Sequence, residues 1–145
     1  MAVAVDVCNA VAIVVSRADG AFLTVRRPKT DPYLPDVWGL PAINVNDGES
    51  SEDAAVRAAK EKLGIVAKVR RRVGCETVAR PDFALHLTEF EIDVLEGCPQ
   101  VPQRNAAITQ YVEARYTDDV SLLADAARQG SACCRIFLRD HDYPW

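Results

Sequence analysis

The residues of this chain best suited to chemistry lie in one stretch, Leu40 to Ile65, which reads LPAINVNDGESSEDAAVRAAKEKLGI. The Asp47-Gly48 pair is typical of a tight turn, and it brings Glu49 beside the predicted start of a helix. Arg57 and Glu61 follow at helical spacing. A turn that leads into an acidic helix can hold a hard cation against a polyphosphate, because such cations prefer oxygen ligands.

The helix after this turn has clear start and stop signals. Ser51 is the expected N-cap, and two acidic residues follow it at the positive end of the helix dipole. Strong helix formers fill Ala54 to Leu63. Gly64 suits the left-handed conformation in which many helices end. The helix is therefore predicted to end at Leu63.

Most of the remaining chain up to Tyr116 is predicted to form strands. The first strand is apolar on both faces, which indicates burial on both. The fourth changes parity, which predicts a bulge or bend near Thr88 and Glu89. Three prolines mark Arg27 to Asp36 as a loop. The predicted strands are Asn9 to Ser16, Ala21 to Arg26, Ile65 to Val78, Phe83 to Val94 and Ile108 to Tyr116.

Two helices are predicted to follow, one from Asp118 or Asp119 to Gly130 and a short one from Ser131. With 145 residues, of which 49% are hydrophobic and 26% charged, the chain has a soluble globular profile. We expect residues 1–145 to form one mixed-sheet domain with helices packed on its faces. This composition excludes disordered, collagen-like and coiled-coil proteins.

Charge and hydropathy restrict the partners. The net charge of −4 argues against binding to long nucleic acid, which requires a basic face. No apolar run approaches the length of a membrane span. Small charged ligands remain compatible with the composition.

The cysteines suggest a reducing compartment. Their number is odd, they show no Cys-x-x-Cys spacing, and neither His86 nor His141 lies in a zinc-ligand pattern. We therefore expect free, buried thiols and a cytoplasmic protein. The five cysteines are Cys8, Cys75, Cys98, Cys133 and Cys134.

The stretch Ile43 to Ile65 resembles the Nudix box of MutT-like hydrolases, whose pattern is G-x5-E-x7-R-E-U-x-E-E-x-G-U, with U a bulky aliphatic residue. The combination of GES, AAVR and LGI with the upstream WGLP is specific. Weaker similarity runs from Asn9 to about Asp118 and includes VRRPKTDPYLPDVWGLP ahead of the box. The residues that agree with the pattern are Glu49, Arg57, Glu61, Gly64 and Ile65.

The box also departs from the family pattern. Ile43 replaces a glycine, Ala58 the first glutamate of the R-E pair and Lys62 the second glutamate of the E-E pair. In the family, the glutamates at the positions of Ala58, Glu61 and Lys62 bind Mg²⁺ or Mn²⁺. Only Glu61 is retained, so the side-chain charge changes from about −3 to about zero. The resemblance therefore implies a degenerate metal site.

The resemblance assigns roles to the retained residues. Glu61, Arg57 and Glu49 are the catalytic candidates, and Glu61 is the metal ligand. Glu49 and Arg57 form a structural pair in the family that shapes the loop. Some members take a further acid from a later loop, but Arg104 to Ala107, expected there, carries none. Three acids elsewhere are candidates to replace the lost ligands: Glu76, Glu89 and Glu113.

Basic residues are the substrate-binding candidates. Lys62 would contact phosphate, with an exposed helical lysine as the alternative. Arg26 or Arg27, at a strand end near the family's cleft, could hold a phosphate oxygen, or could form a solvated strand end. The basic residues of Lys68 to Arg72 favour a solvated face over a polyanion site.

The resemblance implies an α/β/α Nudix sandwich: a mixed, curved sheet with the box helix on one side and C-terminal helices on the other. It implies a divalent-metal-dependent pyrophosphohydrolase, with reduced activity, of a nucleoside diphosphate-linked compound or a nucleoside triphosphate. Two alternatives stay open. One is a nucleotide- or phosphate-binding module without turnover, and the other is a structural dimer with a vestigial cleft. A homodimer is compatible with the sequence, which carries no motif that requires one.

Overall fold

A computed structural model describes residues 6–103 and 111–145. It confirms the predicted α/β/α architecture with a mixed, curved sheet. None of the described helices is long and apolar enough to cross a bilayer. The elements are β1 (Val7–Val15), β2 (Phe22–Arg26), β3 (Trp38–Gly39), β4 (Ala42–Asn44), α1 (Ser51–Leu63), β5 (Val66–Ala79), β6 (Ala84–Glu96), β7 (Glu113–Thr117), a 3₁₀ turn (Val120–Leu123), α2 (Ala124–Arg128) and α3 (Ala132–Asp140).

The strands form two sheets that are joined at the β1–β2 turn. The larger has the order β4-β1-β6-β5 and the smaller β3-β2-β7. β1 pairs parallel with β6 and antiparallel with β4. The turn between β1 and β2 uses Gly20 at φ +87°, a backbone conformation that glycine adopts without strain. Beyond one bridge between Ser16 and Phe22, β2 joins the smaller sheet.

β1 lies at the centre of the molecule and separates two apolar cores. Val11, Ile13 and Val15 pack with α1 on one side. The residues between them, Ala12 and Val14, pack with α3 on the other. This follows from the twofold alternation of strand side chains and confirms that β1 is buried on both faces. The box helix and the C-terminal helices therefore cover opposite faces of the larger sheet.

β6 differs from its prediction. It pairs with β1 without interruption, from Val7 opposite Ala84 to Val15 opposite Ile92. An irregularity is present at the predicted place, but its extra residue lies on β5: the register shifts between Arg72 and Gly74, opposite Phe90 and Glu89. The irregularities lie in the pairing of β6 with β5. The parity of the apolar residues changes because the two faces of β6 are covered along different parts of its length.

The C-terminal helical region is also more divided than predicted. Instead of one helix up to Gly130, a 3₁₀ turn precedes the short α2. The side chain of Asp119 caps the turn by accepting a hydrogen bond from the Ser121 amide. The predicted final helix is present as α3, with Ser131 as its N-cap. The predicted strand Ile108 to Tyr116 lies partly outside the described residues, and β7 begins at Glu113.

All five cysteines are free. Cys133 and Cys134 are buried in α3, as expected, and Cys8 is half-buried. Cys75 and Cys98 are exposed, contrary to the expectation of uniformly buried thiols. Cys75 lies on β5, an edge strand of the larger sheet, and Cys98 lies in the loop after β6.

Glu89 is a carboxyl group enclosed beneath α3. It is 0% exposed, and neither of its oxygens has a hydrogen-bond partner among the described residues. Its neighbour on β5 is Gly74, where a methyl group would come within 3.1 Å of Ile136 Cγ2, so α3 packs closely on the sheet here. Burial raises the pKa of Glu89 well above its usual value, and Cys133 and Asp140 raise it further while Arg71 lowers it.

We predict that Glu89→Gln changes how stability depends on pH. Because the pKa of Glu89 is higher in the folded than in the unfolded protein, the folded state retains a proton that the unfolded state releases. The wild-type free energy of unfolding should therefore fall as pH rises above the unfolded pKa of about 4.5, by up to about 1.4 kcal/mol per pH unit. Glutamine lacks this titration, so the stability of the variant should rise relative to the wild type.

Urea denaturation from about pH 5 to about pH 8 measures this difference. Glu96→Gln, at an exposed residue of the same strand, is the control and should follow the wild-type profile. Parallel profiles for wild type and Glu89→Gln would contradict the prediction.

Candidate active site

The site begins at the turn that leads into α1. Gly48 adopts φ +77°, and the Glu49 amide donates to the Asn46 carbonyl at 3.0 Å. Ser50 is the N-cap, one residue earlier than predicted, because its hydroxyl accepts a hydrogen bond from the Asp53 amide at 3.1 Å. At the other end, Gly64 adopts the predicted left-handed conformation, with φ +70°. The helix is thus defined at both ends.

Arg57 connects three parts of the site. Its Nε and Nη2 atoms donate to the two carboxylate oxygens of Glu49 at 2.9 and 3.0 Å. Nη2 also donates to the Asn44 carbonyl of β4 at 2.6 Å, and Nη1 donates to Glu61 at 3.0 Å. Glu49 accepts a further bond from the Asn46 amide at 3.0 Å. One guanidinium therefore joins the loop that contains Asn46 and Glu49 to β4 and α1.

These contacts stabilise the charged forms of both partners. The hydrogen bond from Arg57 is the largest cause that lowers the pKa of Glu49, and the Asn46 amide adds to it. The same bond raises the pKa of Arg57. Such a bidentate pair between arginine and a carboxylate is a strong, charge-assisted interaction.

The helix face that carries the metal ligands in the family has different properties here. Ala58 is completely buried, and Glu61 is bound to Arg57 while its side chain is 45% exposed. Lys62 is only 6% exposed, so the alternative of an exposed helical lysine is wrong. Burial and the nearby Arg27 charge lower the pKa of Lys62 to about 8, and Glu61 opposes this shift.

The donor set does not fit a divalent cation bound as in the family. Glu61 is the one carboxylate on this helix face, and an ammonium stands where another would be required. Across residues 6–103 and 111–145, no group of three potential ligands is positioned to hold a metal ion. The residues that the structure describes therefore offer no built Mg²⁺ or Mn²⁺ site around Glu61.

The three acids considered as replacement ligands are engaged elsewhere. Glu76 pairs with Arg139 of α3, and Glu113 pairs with Arg26. Glu89 lies beneath α3, on the side of the sheet opposite α1. None of these contacts brings an acid to Glu61. Residues 104–107, expected at the family's later acidic loop, lie outside the described residues.

The two adjacent arginines at the end of β2 make different contacts. Arg26 pairs with Asp36 and Glu113. Arg27 donates to Asp31 at 3.1 Å, and its charge acts on Lys62. Burial opposes the charge of Arg27, but Tyr111, Cys133 and Asp31 raise its pKa. Of the two candidates, Arg27 is the one whose charge lowers the pKa of Lys62.

Tyr111 belongs to this site although no sequence signal identified it. Its ring centroid lies 5.3 Å from the Lys62 Nζ atom, and the residue is 3% exposed. Its hydroxyl accepts from the Ala42 amide at 2.8 Å and lies 3.3 Å from the Ala42 carbonyl. Burial raises the pKa of Tyr111. Since Tyr111 lies outside the box, only the folded structure places it beside Lys62.

Two basic residues of β5, Arg70 and Arg71, form ion pairs with acidic residues of β6 and α3. Arg70 pairs with Glu91 and Asp93. Arg71 pairs with Glu91 and Asp140. This pairing favours the interpretation of a solvated face over that of a polyanion site.

Comparison with known proteins identifies the family. The NUDIX domain family matches residues 7–113, and the chain therefore belongs to it. No protein of curated function matches the sequence.

Solved structures share the fold at low sequence identity. A MutT protein from Methanosarcina mazei Go1 is 17% identical, with a TM-score of 0.70 and 97% of each chain covered. A NUDIX hydrolase from Nitrosomonas europaea is 19% identical, with a TM-score of 0.71 over 94% of this chain and 92% of that chain. An ADP-ribose pyrophosphatase from Streptococcus suis is 16% identical, with a TM-score of 0.61 over 95% and 94%. These similarities establish the Nudix fold.

We predict that Arg57→Ala destabilises the protein by on the order of 1.5–3 kcal/mol, because it removes charge-assisted hydrogen bonds from a partly buried site. Urea denaturation measures the effect. Arg128→Ala is the control: it removes an exposed ion pair with Asp125, and we expect a change within about 0.5 kcal/mol. Equal stability of Arg57→Ala and wild type would show that the loop does not depend on this side chain.

Proposed function

We propose that this Nudix-family chain is a pyrophosphohydrolase of low turnover. Its cleft binds the pyrophosphate group of a nucleoside diphosphate-linked compound or a nucleoside triphosphate. Protein cations, chiefly Lys62 with Arg27, neutralise the phosphates in place of a divalent ion. The family assignment supports the reaction class, and the structural similarity to the ADP-ribose pyrophosphatase from Streptococcus suis supports a test with ADP-ribose.

The observation that carries the proposal is the position of Lys62 on the former metal face of α1, where the family has a glutamate. Its Nζ atom lies 5.3 Å from the ring centroid of Tyr111. A phosphate oxygen at this face could accept a hydrogen bond from the ammonium. Lysine acts as a point-charge donor to phosphate oxygens, and arginine adds a planar set of donors. The two cations therefore perform the binding part of the role that metal has in the family.

Hydrolysis requires more than charge neutralisation. Water oxygen must form a bond to one phosphorus while the bond from that phosphorus to the bridging oxygen breaks and the second phosphate leaves. Glu61 is the carboxylate that α1 offers to accept the proton of the attacking water. Glu49 and Arg57 hold the loop and orient Glu61. An ammonium does not lower the pKa of a bound water as a metal does, so this route is slow.

The second candidate is binding without turnover. It is favoured by the absence of two family glutamates at Ala58 and Lys62, together with the engagement of Glu61 by Arg57. In that case the cleft holds the nucleotide as a ligand. The single-domain organisation of residues 1–145, the cytoplasmic location and a homodimer remain predictions in either case.

We predict that the wild-type protein binds Mg²⁺ much more weakly than a protein with an intact box. Calorimetric titration without ligand should give little or no heat up to a few millimolar Mg²⁺, because one carboxylate paired with arginine is a poor site for a hard cation. Saturation with Mg²⁺ in the micromolar range would contradict this prediction, and also the proposal that Lys62 and Arg27 act in place of a divalent ion.

We further predict that restoring the carboxylates restores metal-dependent catalysis. Ala58→Glu with Lys62→Glu should raise Mg²⁺-dependent release of phosphomonoester from ADP-ribose at least tenfold. The matched control is Ala58→Glu with Lys60→Glu, which has the same net charge but places the second acid at an exposed residue of α1. It should stay at the wild-type rate.

Circular dichroism establishes that both double variants are folded. Equal rates in the two folded double variants would contradict the assignment of the metal face. A wild-type turnover near ~10 s⁻¹, typical of enzymes, would contradict low turnover.

A further inference from the structure

Helix α3 packs on both sheets, and it approaches each of them at a glycine. The Cys134 sulfur lies 3.7 Å from the position that a methyl group on Gly39 of β3 would occupy. Ile136 Cγ2 lies 3.1 Å from the corresponding position at Gly74 of β5. Because even a methyl group at Gly74 would crowd the helix, the space between α3 and the larger sheet is small.

Glu89 lies in this closely packed layer. Within the larger sheet it is opposite Gly74 of β5 and opposite Ala12 of β1. Leu87, two residues earlier and therefore on the same face of β6, belongs to the apolar core that contains α3. Glu89 is fully buried, and neither carboxyl oxygen has a hydrogen-bond partner among the residues that the structure describes. An unpaired carboxylate is costly in such a place, so the packed helix favours the neutral, protonated carboxyl group.

The arginines on this side of the sheet are paired with other acids. Arg71 donates to Glu91 and to Asp140 of α3, and Arg139 of α3 pairs with Glu76. None of the ion pairs in the described part of the chain includes Glu89. On this face β1 presents only apolar residues to α3. The titratable and charged groups that α3, β5 and β6 contribute here are Cys133, Arg139, Asp140, Arg71, Glu76 and Glu91.

The attachment of α3 differs from that of the strands beneath it. Across residues 6–103 and 111–145, no backbone hydrogen bond joins α3 to a strand. Side chains hold the helix instead: the ring of Phe137 lies 4.5 Å from that of Phe22, and Asp140 pairs with Arg71. β1, in contrast, is hydrogen-bonded to a strand on each side. The helix can therefore leave the sheet while the strand pairing stays intact, and such local opening costs less free energy than global unfolding.

We propose that α3 is a proton-controlled cover: when Glu89 releases its proton to solvent, α3 opens locally from the sheets and exposes the thiols of Cys133 and Cys134. In the open state the carboxylate is hydrated and has its ordinary pKa of about 4.5, whereas burial raises the pKa of Glu89 well above this value in the closed state. The closed state therefore retains a proton that the open state releases. Between these two pKa values, each pH unit should raise the equilibrium constant for opening by up to about tenfold.

Hydrogen exchange resolved by mass spectrometry tests the opening. Peptides from α3 and β1 are compared from about pH 5 to about pH 8, and the intrinsic chemical exchange rates are divided out. In the wild type, the opening constant of α3 should rise about tenfold or more over this range, while β1 exchanges at least about tenfold more slowly at each pH. Glu89→Gln should abolish the rise because glutamine has no proton to release. The matched control Glu96→Gln, at an exposed residue of the same strand, should retain it.

Labelling with N-ethylmaleimide measures the exposure of the thiols. Cys98 is exposed and should react rapidly in every variant, whereas Cys133 and Cys134 should react only when α3 opens. The ratio of wild-type to Glu89→Gln labelling rates at the two buried thiols should rise with pH. This ratio cancels the pH dependence of the reaction between maleimide and an open thiol, which both proteins share.

Three results would overturn the proposal. The first is a wild-type opening constant of α3 that stays the same across the pH range, a measurement that does not depend on the folding of any variant. The second is an equal rise in wild type and Glu89→Gln. The third is exchange of β1 at the same rate as α3, which would show that the whole protein unfolds and that α3 does not open by itself.

Discussion

The site depends on the ion pair between Arg57 and Glu49. This guanidinium joins β4, the loop that contains Glu49, and α1, so it fixes the position of that loop against the helix. Nothing in the pair requires a metal, because its bonds are made within the protein. This explains how the scaffold of the Nudix box can be retained while the metal ligands are lost.

Charge distinguishes this cleft from the family pattern. With alanine and lysine at two ligand positions, the helix face no longer carries the negative charge that attracts a divalent ion. In our proposal Lys62 and Arg27 contact the phosphates instead. The Tyr111 ring lies 5.3 Å from Lys62 Nζ, and its hydroxyl is hydrogen-bonded to Ala42 of β4. Positive side chains can bind phosphate oxygens directly, but they cannot replace the metal in activating water. We therefore expect this protein to bind a phosphate ligand without metal and to hydrolyse it slowly.

The sequence predicted the features that depend on local patterns. The apolar residues on both faces of β1, and the helix formers and terminal Gly64 of α1, predicted these elements because each pattern involves neighbours along the chain. The resemblance to the Nudix box implied the fold and the pair of Glu49 and Arg57. Contacts between distant segments were not predictable in this way. The Tyr111 hydroxyl is hydrogen-bonded to Ala42, 69 residues away in the chain. Arg27 pairs with Asp31 while Arg26 pairs with other acids, and this difference depends on a loop conformation that composition does not predict. The parity change in β6 was not fully explained by the predicted bulge, because the two faces of the strand pack into different apolar cores along its length.

The central claim is that protein cations occupy the role of the metal in phosphate binding. A crystal structure with a methylene analogue of ADP-ribose, grown in excess Mn²⁺, tests it most directly because anomalous scattering locates the ion. The account predicts phosphate oxygens within hydrogen-bond distance of Lys62 Nζ and the Arg27 guanidinium, with no Mn²⁺ at Glu61. An ordered Mn²⁺ bound by Glu61 and two further protein carboxylates would contradict it.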